Sequence, residues 1–476
     1  MTFTTPSFTW RSIVLPAYLP TLLFSIGEGA IIPVIPVVAT ERGASIALAG
    51  LIAAMIMVGE LIGDLPAGWL VARIGERASM IGASALAVVG VLIALVSPTL
   101  PALGIGILLV GLATAVFGLA RHAFLTSYVP ERVRARALST LAGVFRGGWA
   151  IGPFIAAALL AATGSSETVF WVLVIACLAV VVVLLVLPDP ERVFGTVQQT
   201  RAAASDAAAR RSAEAEAEAE AEADDAAVDE TSASMPATSS GPTVGSDSPG
   251  RREADAASHG VFRAIRTHRA VLARIGTGVG LLAALRASRM VILPLWAVSI
   301  GMAPEAAAVV IGVSATIDFA LFYVSGQVMD RFGRLWSAIP GLLGLGIGHL
   351  VLAFTHDAPG AEAWFAAIAV LFGIANGLSS GVILTLGADL APKANPAPFL
   401  GAFRTIADAG QAGAPLAIAA ITSAFSIMAA SAAMGVLGFV GAAILWRYVP
   451  KYVPHAGARP KELDPSSSPH RASQPD

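Results

Sequence analysis

The sequence predicts an all-α polytopic membrane protein with twelve transmembrane helices in two pseudo-symmetric halves of six. Three observations support this prediction. Hydrophobic residues make up 56% of the 476-residue chain and charged residues only 13%, which is about half the charged share of an average soluble protein. The apolar residues form runs long enough to cross a bilayer. The second half of the chain also repeats motifs of the first half at a constant spacing.

A bilayer core about 30 Å thick needs roughly 20 apolar residues per helix. By this criterion the first half contains six spans, predicted at residues 13–38, 46–71, 78–97, 101–121, 137–162 and 168–188. The second half contains six more, predicted at residues 269–299, 304–329, 336–355, 362–387, 399–423 and 425–448. We therefore expect an N-terminal bundle over residues 1–189 and a C-terminal bundle over residues 266–450.

Two polar segments flank the second bundle. Residues 190–265 contain the run AEAEAEAEAEADD and a Ser/Pro/Gly-rich stretch, a composition that cannot bury a core. We predict a disordered cytoplasmic linker there and a disordered tail over residues 451–476. Lys and Arg residues cluster in the loops after spans two, four, eight and ten, which predicts that these loops and both termini are cytoplasmic, in a protein of the plasma membrane.

The two halves repeat each other at an offset of 258 residues. The offset relates Gly68, Arg73 and Gly75 to Gly326, Arg331 and Gly333, and it relates Arg146 to Arg404. Chance matches between glycines are common in this composition, but a shared arginine inside a predicted span is not. A duplication of two halves in parallel orientation is a recurrent architecture of secondary transporters, with the substrate site between the halves near mid-membrane.

The turn GQVMDRFGR carries a resemblance to a known family. It resembles the loop motif Gly-x-x-x-Asp-Arg-x-Gly-Arg of the major facilitator superfamily, which follows the second and eighth helices. The matching residues are Gly326, Asp330, Arg331, Gly333 and Arg334. The first copy keeps Gly68, Arg73 and Gly75, but has Ala72 in place of the aspartate. The resemblance implies that this motif gates the transport cycle; the alternative is a positive turn that only sets the orientation.

A second motif lies in the predicted fifth span. Gly148, Gly152 and Pro153 resemble the Gly-x-x-x-Gly-Pro motif of the family's antiporters. The resemblance implies efflux of the solute. The fourth-span sequence GIGILLVGLATAVFGL has no charge, so we do not expect the arginine that is common there in the family's drug–proton antiporters.

Nine ionisable residues fall well inside the predicted spans, where each costs about 2.5–3.5 kcal/mol at a helix centre. They are Glu28, Glu60, Asp64, Arg146, Arg286, Arg289, Asp318, Arg404 and Asp408. They must therefore face one another or a wet cavity. In the superfamily's arrangement helix two lies near helix eleven and helix five near helix eight, which implies interdomain pairs Glu60–Arg404 and Asp318–Arg146. These are either static ion pairs or sites where a carboxylate takes up a proton during the cycle; Asp64 and Asp408 belong to the same group.

The resemblance implies that spans one and seven line the cavity, and the predicted substrate site lies on these two spans and on span ten. Glu28 is equivalent to Arg286, and Arg289 lies three residues further on the same helix face. We predict that Glu28, Arg286, Arg289 and Asn376 bind the substrate through a polar or anionic group. Alternatively, the arginines only neutralise Glu28 and Asp408. His349 is expected to be a hydrogen-bonded core residue.

These observations predict a secondary transporter that moves a small organic solute by alternating access, with proton-coupled efflux as the first expectation. The alternatives are uptake of a sugar or an organic acid, and a membrane sensor or scaffold that no longer transports. No nucleophile, base and metal cluster is recognisable, so we expect neither an enzyme nor a cofactor. The expected partners are a small-molecule substrate, a proton and the lipid bilayer, with no nucleic acid, and the protein is expected to be a monomer.

Overall fold

The computed structural model describes residues 14–96, 98–129, 131–187, 266, 268–392 and 397–452. Every regular element within these residues is helical. The predicted linker over residues 190–265 lies outside the described residues. The predicted tail is described only at Lys451 and Tyr452, which end the last helix.

The first half contains seven α-helices because its first span is broken. They are α1 (Leu19–Ile31), α2 (Ile35–Glu41), α3 (Ile46–Ile74), α4 (Glu76–Val96), α5 (Leu100–Tyr128), α6 (Glu131–Thr163) and α7 (Phe170–Val186). A π-helical turn, Val14–Tyr18, leads into α1, and a 3-10 turn, Ser166–Val169, leads into α7. The break between α1 and α2 precedes Pro36, whose missing N–H is tolerated in the first turn of a helix.

The second half follows the same order. Its helices are α8 (Thr277–Ser299), α9 (Pro304–Phe332), α10 (Leu335–Thr355), α11 (Ala361–Leu378), α12 (Val382–Leu390), α13 (Ala397–Ala424) and α14 (Ile427–Tyr452). A helical turn, Arg269–Val271, and a π-helical turn, Leu272–Gly276, lead into α8. The predicted tenth span is broken between α11 and α12 at Gly381, which has a positive φ of 80°.

Eleven helices or joined helices among the described residues are long and apolar enough to cross a membrane. The predicted eleventh span, 399–423, coincides in position with α13, which is 28 residues long but is not among the eleven helices counted here. The polar residues Arg404, Asp408 and Gln411 lower its hydropathy. Two boundaries also differ from prediction, since α5 ends at Tyr128 instead of residue 121, and α6 begins at Glu131 instead of residue 137.

The two halves use the same internal packing and meet along two seams. In the first half α3 packs against α5 and α1 against α6; the equivalent pairs of the second half are α9 with α11 and α8 with α13. Between the halves, α6 packs against α9 and α3 against α13. Helix five therefore lies beside helix eight, and helix two beside helix eleven, as expected from the family's arrangement.

The glycine turns show that the offset of 258 residues also holds in backbone geometry. Gly75 ends α3 at φ 84°, ψ 163°, and Gly333 ends α9 at φ 95°, ψ 166°. This region is essentially restricted to glycine because a side chain would clash with the backbone. We call the end of the bundle that carries Gly75 and Gly333 the turn end.

Candidate functional site

A cluster of charged residues surrounds Asp318, a buried residue of α9. Its Oδ1 atom accepts a hydrogen bond of 3.0 Å from Nη1 of Arg146 on α6, so this ion pair joins the two halves. Its Oδ2 atom accepts from Nδ2 of Asn376 on α11 at 2.8 Å and from Nη2 of Arg289 on α8 at 3.4 Å. The sequence predicted the meeting of Arg146 and Asp318, and the structure places them together; a role in proton coupling stays a prediction.

Positive charge exceeds negative charge in this cluster. Arg286 lies one turn from Arg289, interacts electrostatically with Asp318, and donates a hydrogen bond of 3.1 Å to the carbonyl oxygen of Ser379 at the break after α11. Three guanidinium groups thus share one carboxylate. Two buried polar atoms, Nε of Arg289 and Oδ1 of Asn376, have no hydrogen-bond partner in the structure. The cluster therefore has unused donor and acceptor capacity and two positive charges in excess.

A second polar cluster lies in the first half around Glu28, which is fully buried on α1. Its carboxylate accepts hydrogen bonds from Thr114 Oγ1 on α5 at 2.9 Å and from Trp149 Nε1 on α6 at 2.8 Å. Both hydrogen-bond partners of Glu28 therefore belong to the first half. The residues predicted to bind substrate therefore divide into Glu28 in this cluster, and Arg286, Arg289 and Asn376 around Asp318.

Arg121 is a site residue that the sequence analysis missed. It is buried on α5, interacts electrostatically with both Glu28 and Glu60, and its guanidinium lies 4.4 Å from the centre of the Phe145 ring. The quoted fourth-span segment has no charge, but Arg121 lies two residues beyond it, and the helix continues to Tyr128 instead of ending at residue 121. The neighbouring sequence LARHAF, which is helix-compatible and lacks a Pro or Gly, was the available signal.

The predicted pair between Glu60 and Arg404 does not form. Arg404 instead contacts Asp408, one turn further along α13, with 3.5 Å between Nε and Oδ2. The Arg404 side chain is 70% exposed and also interacts electrostatically with Asp64 across the α3–α13 seam. The cation that interacts electrostatically with Glu60 is instead Arg121 of the same half.

The observed pairings exclude the alternative interpretation, in which Arg286 and Arg289 on α8 neutralise Glu28 and Asp408. Glu28 is associated with Arg121, and Asp408 with Arg404, whereas Arg286 and Arg289 lie around Asp318. The α8 arginines are therefore not the partners of either carboxylate.

Each copy of the loop motif connects its glycine turn to the end of a neighbouring helix. Arg334 donates from Nε to Oδ2 of Asp389 on α12 at 2.8 Å, and from Nη1 to the exposed Asp330 at 3.4 Å. This contact with Asp389 is the main reason that the pKa of the Arg334 guanidinium is raised above its ordinary value. In the first half the equivalent residue Glu76 accepts a hydrogen bond from Ser127 at the end of α5.

The arginines in and directly after the motif have different partners. Arg77, which follows the first copy, donates to the carbonyl oxygens of Leu184 and Leu187 at the end of α7, where a cation also interacts favourably with the helix dipole. Arg73 lies over the ring of Trp69 and Arg331 over that of Phe332. A Cβ atom on Gly68 would make an ordinary contact with Leu119 at 3.9 Å, and one on Gly326 would meet nothing within 4 Å. A gating role for the motif stays a prediction.

The glycines of the helix-five motif are used for close packing. A Cβ atom on Gly152 would lie 2.5 Å from the backbone nitrogen of Ala30, and one on Gly148 would lie 2.8 Å from Cβ of Ser25. Pro153 lies inside α6 directly after this contact. The motif therefore brings α6 against α1 and positions Trp149 beside Glu28.

His349 is fully buried on α10, and both ring nitrogens have serine partners. Nε2 lies 2.8 Å from Ser288 Oγ and Nδ1 lies 3.2 Å from Ser431 Oγ. The ring also packs on Phe372. The structure thus places His349 in the core with hydrogen-bond partners, as the sequence predicted.

Two helical bundles with buried charges along their seams define a multi-pass membrane protein of the secondary-transporter class. The sequence profile of the Major Facilitator Superfamily matches residues 18–415 and, a second time, residues 275–472. The chain belongs to this superfamily and is a transporter, not an enzyme.

Individual relatives are distant. The galactose–proton symporter of Escherichia coli is 25% identical over 178 residues, which covers 37% of this chain and 38% of that protein. The chain is thus aligned with little more than a third of the length of the curated relatives it matches. Among solved structures, a D-xylose–proton symporter has a TM-score of 0.65 at 16% identity, covering 93% of this chain and 98% of that one. A POT family transporter in complex with 5-aminolevulinic acid has a TM-score of 0.66 at 12% identity, with coverages of 93% and 96%.

An inward-open structure of the xylose transporter of Escherichia coli has a TM-score of 0.62 at 18% identity, with coverages of 92% and 96%. At these identities the structural similarity shows the fold alone.

Proposed function

We propose that this protein is a proton-coupled transporter of a small organic anion. The observation that carries this proposal is the cluster in which Arg146, Arg286 and Arg289 share the single carboxylate of Asp318. Buried charges within spans are costly unless they are paired, and they are typical of substrate and ion pathways. A solute that brings a negative group to Arg286 and Arg289 would neutralise one of the two excess positive charges.

The proposed proton site is the pair Glu28 and Glu60 with Arg121. One guanidinium between two carboxylates leaves one negative charge without a partner, and a proton on either carboxylate removes it. This assigns Glu28 to proton coupling instead of substrate binding. The names of the galactose–proton and D-xylose–proton symporters support coupling to a proton, whereas the arginine cluster favours a charged substrate over a sugar.

The charged residues are proposed to face a chamber that opens at the turn end. At the opposite end α8 approaches α2 and the beginning of α3, and the side chain of Leu295 lies against Gly50. Toward the turn end, Asp64 and Arg404 face each other across the seam and are exposed. In this proposal the turn end is on the cytoplasmic side, as the distribution of Lys and Arg predicts.

Efflux and antiport are not part of this proposal. They rested on Gly148, Gly152 and Pro153, and the packing of α6 against α1 accounts for these residues whatever the direction of transport. The named sugar–proton relatives are symporters. Transport of the solute together with the proton is therefore the proposed mode.

Flux measurements in proteoliposomes test the proposal. Purified protein is reconstituted, a pH gradient is imposed, and uptake of radiolabelled lactate, succinate, galactose and xylose is measured. We expect gradient-driven uptake of a carboxylate that is abolished in Arg289→Gln. The matched control is Arg274→Gln, because Arg274 is exposed and contacts Tyr452 away from the cluster. Uptake of a sugar alone, or full carboxylate uptake by Arg289→Gln, contradicts the proposal, and folded protein without any flux favours the scaffold alternative.

A further inference from the structure

We propose that Asp318 is a built-in competitor of the substrate: its carboxylate occupies donors that a substrate carboxylate needs, so substrate binding and the Arg146–Asp318 contact exclude each other. This inference rests on the proposed function, and it names both the substrate group, a carboxylate, and the residue that sets its affinity.

The first step is the geometry around Asp318. The carboxylate is recognised by two guanidinium groups and one amide, with donor–acceptor distances of 3.0 Å to Arg146, 3.4 Å to Arg289 and 2.8 Å to Asn376. Guanidinium and amide donors are the groups that proteins use to bind an external carboxylate. The structure therefore shows a carboxylate-binding site that is occupied by a side chain of the protein itself.

The second step is that this occupation is incomplete. Arg289 and Asn376 are 6% and 3% exposed, yet Nε of Arg289 and Oδ1 of Asn376 have no partner in the structure. Arg286, on the same face of α8, binds a backbone carbonyl oxygen instead of a carboxylate. An unpaired buried polar group is unfavourable, and a substrate carboxylate that accepts from Nε of Arg289 satisfies the donor that Asp318 leaves unpaired.

The third step links this site to the seam between the halves. Arg146 belongs to α6 and reaches Asp318 across the α6–α9 seam, with its guanidinium 4.9 Å from the centre of the Phe322 ring. Arg289 and Asn376 belong to the same half as Asp318. A substrate carboxylate that takes Arg289 and Asn376 displaces the Asp318 carboxylate, and the geometry of the interdomain contact with Arg146 changes with it. Substrate binding at this site therefore alters the ion pair that joins the two halves.

Binding of acetate to the purified protein tests this inference. Acetate has the same functional group as the Asp318 side chain and is used as the probe, with thermal unfolding in detergent recorded against sodium acetate at constant ionic strength. In Asp318→Asn the competing charge is absent, and we expect the half-saturating acetate concentration to fall at least tenfold below that of the wild type. Asp318→Glu retains the competitor and should respond like the wild type.

The matched control is Asp408→Asn, because Asp408 is also an aspartate in an ion pair with an arginine but contacts none of the groups around Asp318. Acetate binding by Asp318→Asn that is equal to or weaker than that of the wild type overturns the inference, and so does an equal gain in Asp408→Asn. If Asp318→Asn is not obtained folded, the smaller Asp318→Ser makes the same comparison.

The outcome is separable from that of the flux experiment. Carboxylate uptake by the wild type without an affinity gain in Asp318→Asn contradicts only the competitor role. A gain in acetate affinity without carboxylate uptake contradicts the proposed function and leaves the anion site in place.

Discussion

The indole nitrogen of Trp149 donates a hydrogen bond of 2.8 Å to the Glu28 carboxylate and so joins the middle of α6 to α1. A hydrogen bond to a charged group contributes about 1.5–3 kcal/mol. We expect Trp149→Phe to reduce pH-gradient-driven uptake by roughly tenfold or more, since about 1.4 kcal/mol corresponds to a factor of ten.

The control for this prediction is Trp171→Phe on α7, where the side chain is 48% exposed and outside both clusters. Equal uptake by the two variants would show that Trp149 does not support the proton site.

Two glycines on α13 test the close packing of the second half. A Cβ atom on Gly410 would overlap the carbonyl oxygen of Gly280 on α8, whereas Gly413 has nothing within 4 Å. Overpacking a tight contact typically costs about 1–3 kcal/mol, so Gly410→Ala should lower the thermal unfolding midpoint. Gly413→Ala should leave the midpoint unchanged or raise it, because alanine is the better helix former. Identical midpoints would mean that α8 and α13 are not in close contact.

At the turn end, Arg334 is held mainly by Asp389. The distance from Arg334 Nε to Asp389 is 2.8 Å, whereas Asp330 lies 3.4 Å from Nη1 and its side chain is 82% exposed. Exposed ion pairs contribute little, with typical values of about 0–1 kcal/mol. We therefore expect Asp389→Asn to reduce the transport rate several-fold more than Asp330→Asn, measured as initial uptake in proteoliposomes. The reverse order would show that Asp330 acts through a contact made in another conformation.

Double-mutant cycles test which charges meet across the seams. Residues in direct contact show interaction energies of about 0.5–3 kcal/mol, and independent residues show almost none. The cycle of Arg146→Gln with Asp318→Asn should give a clear coupling in unfolding measurements, because the two side chains form an ion pair. The cycle of Glu60→Gln with Arg404→Gln should give none, because Arg404 contacts Asp408 instead. Coupling in the second cycle only would contradict the arrangement of both seams.

The sequence predicted much of the fold because the second half of the chain repeats motifs of the first half. The offset of 258 residues identified two halves, and it placed Arg146 beside Asp318 once the family's helix arrangement was assumed. The same symmetry gave the wrong partner for Glu60, because a repeat fixes positions and not side-chain directions. Arg121 was missed because it stands at the predicted end of the fourth span, where a charge indicates the end of a membrane helix, whereas the helix continues to Tyr128.

The opposite charges at the equivalent positions of Glu28 and Arg286 mean that the two halves are no longer interchangeable. Because the halves are parallel repeats, the rotation that exchanges them keeps each end of every helix on its own side of the membrane. That rotation exchanges the acidic pocket around Glu28 for the basic one around Arg286. A dipolar solute between the halves therefore has one electrostatically favoured orientation, with its negative end toward the second half.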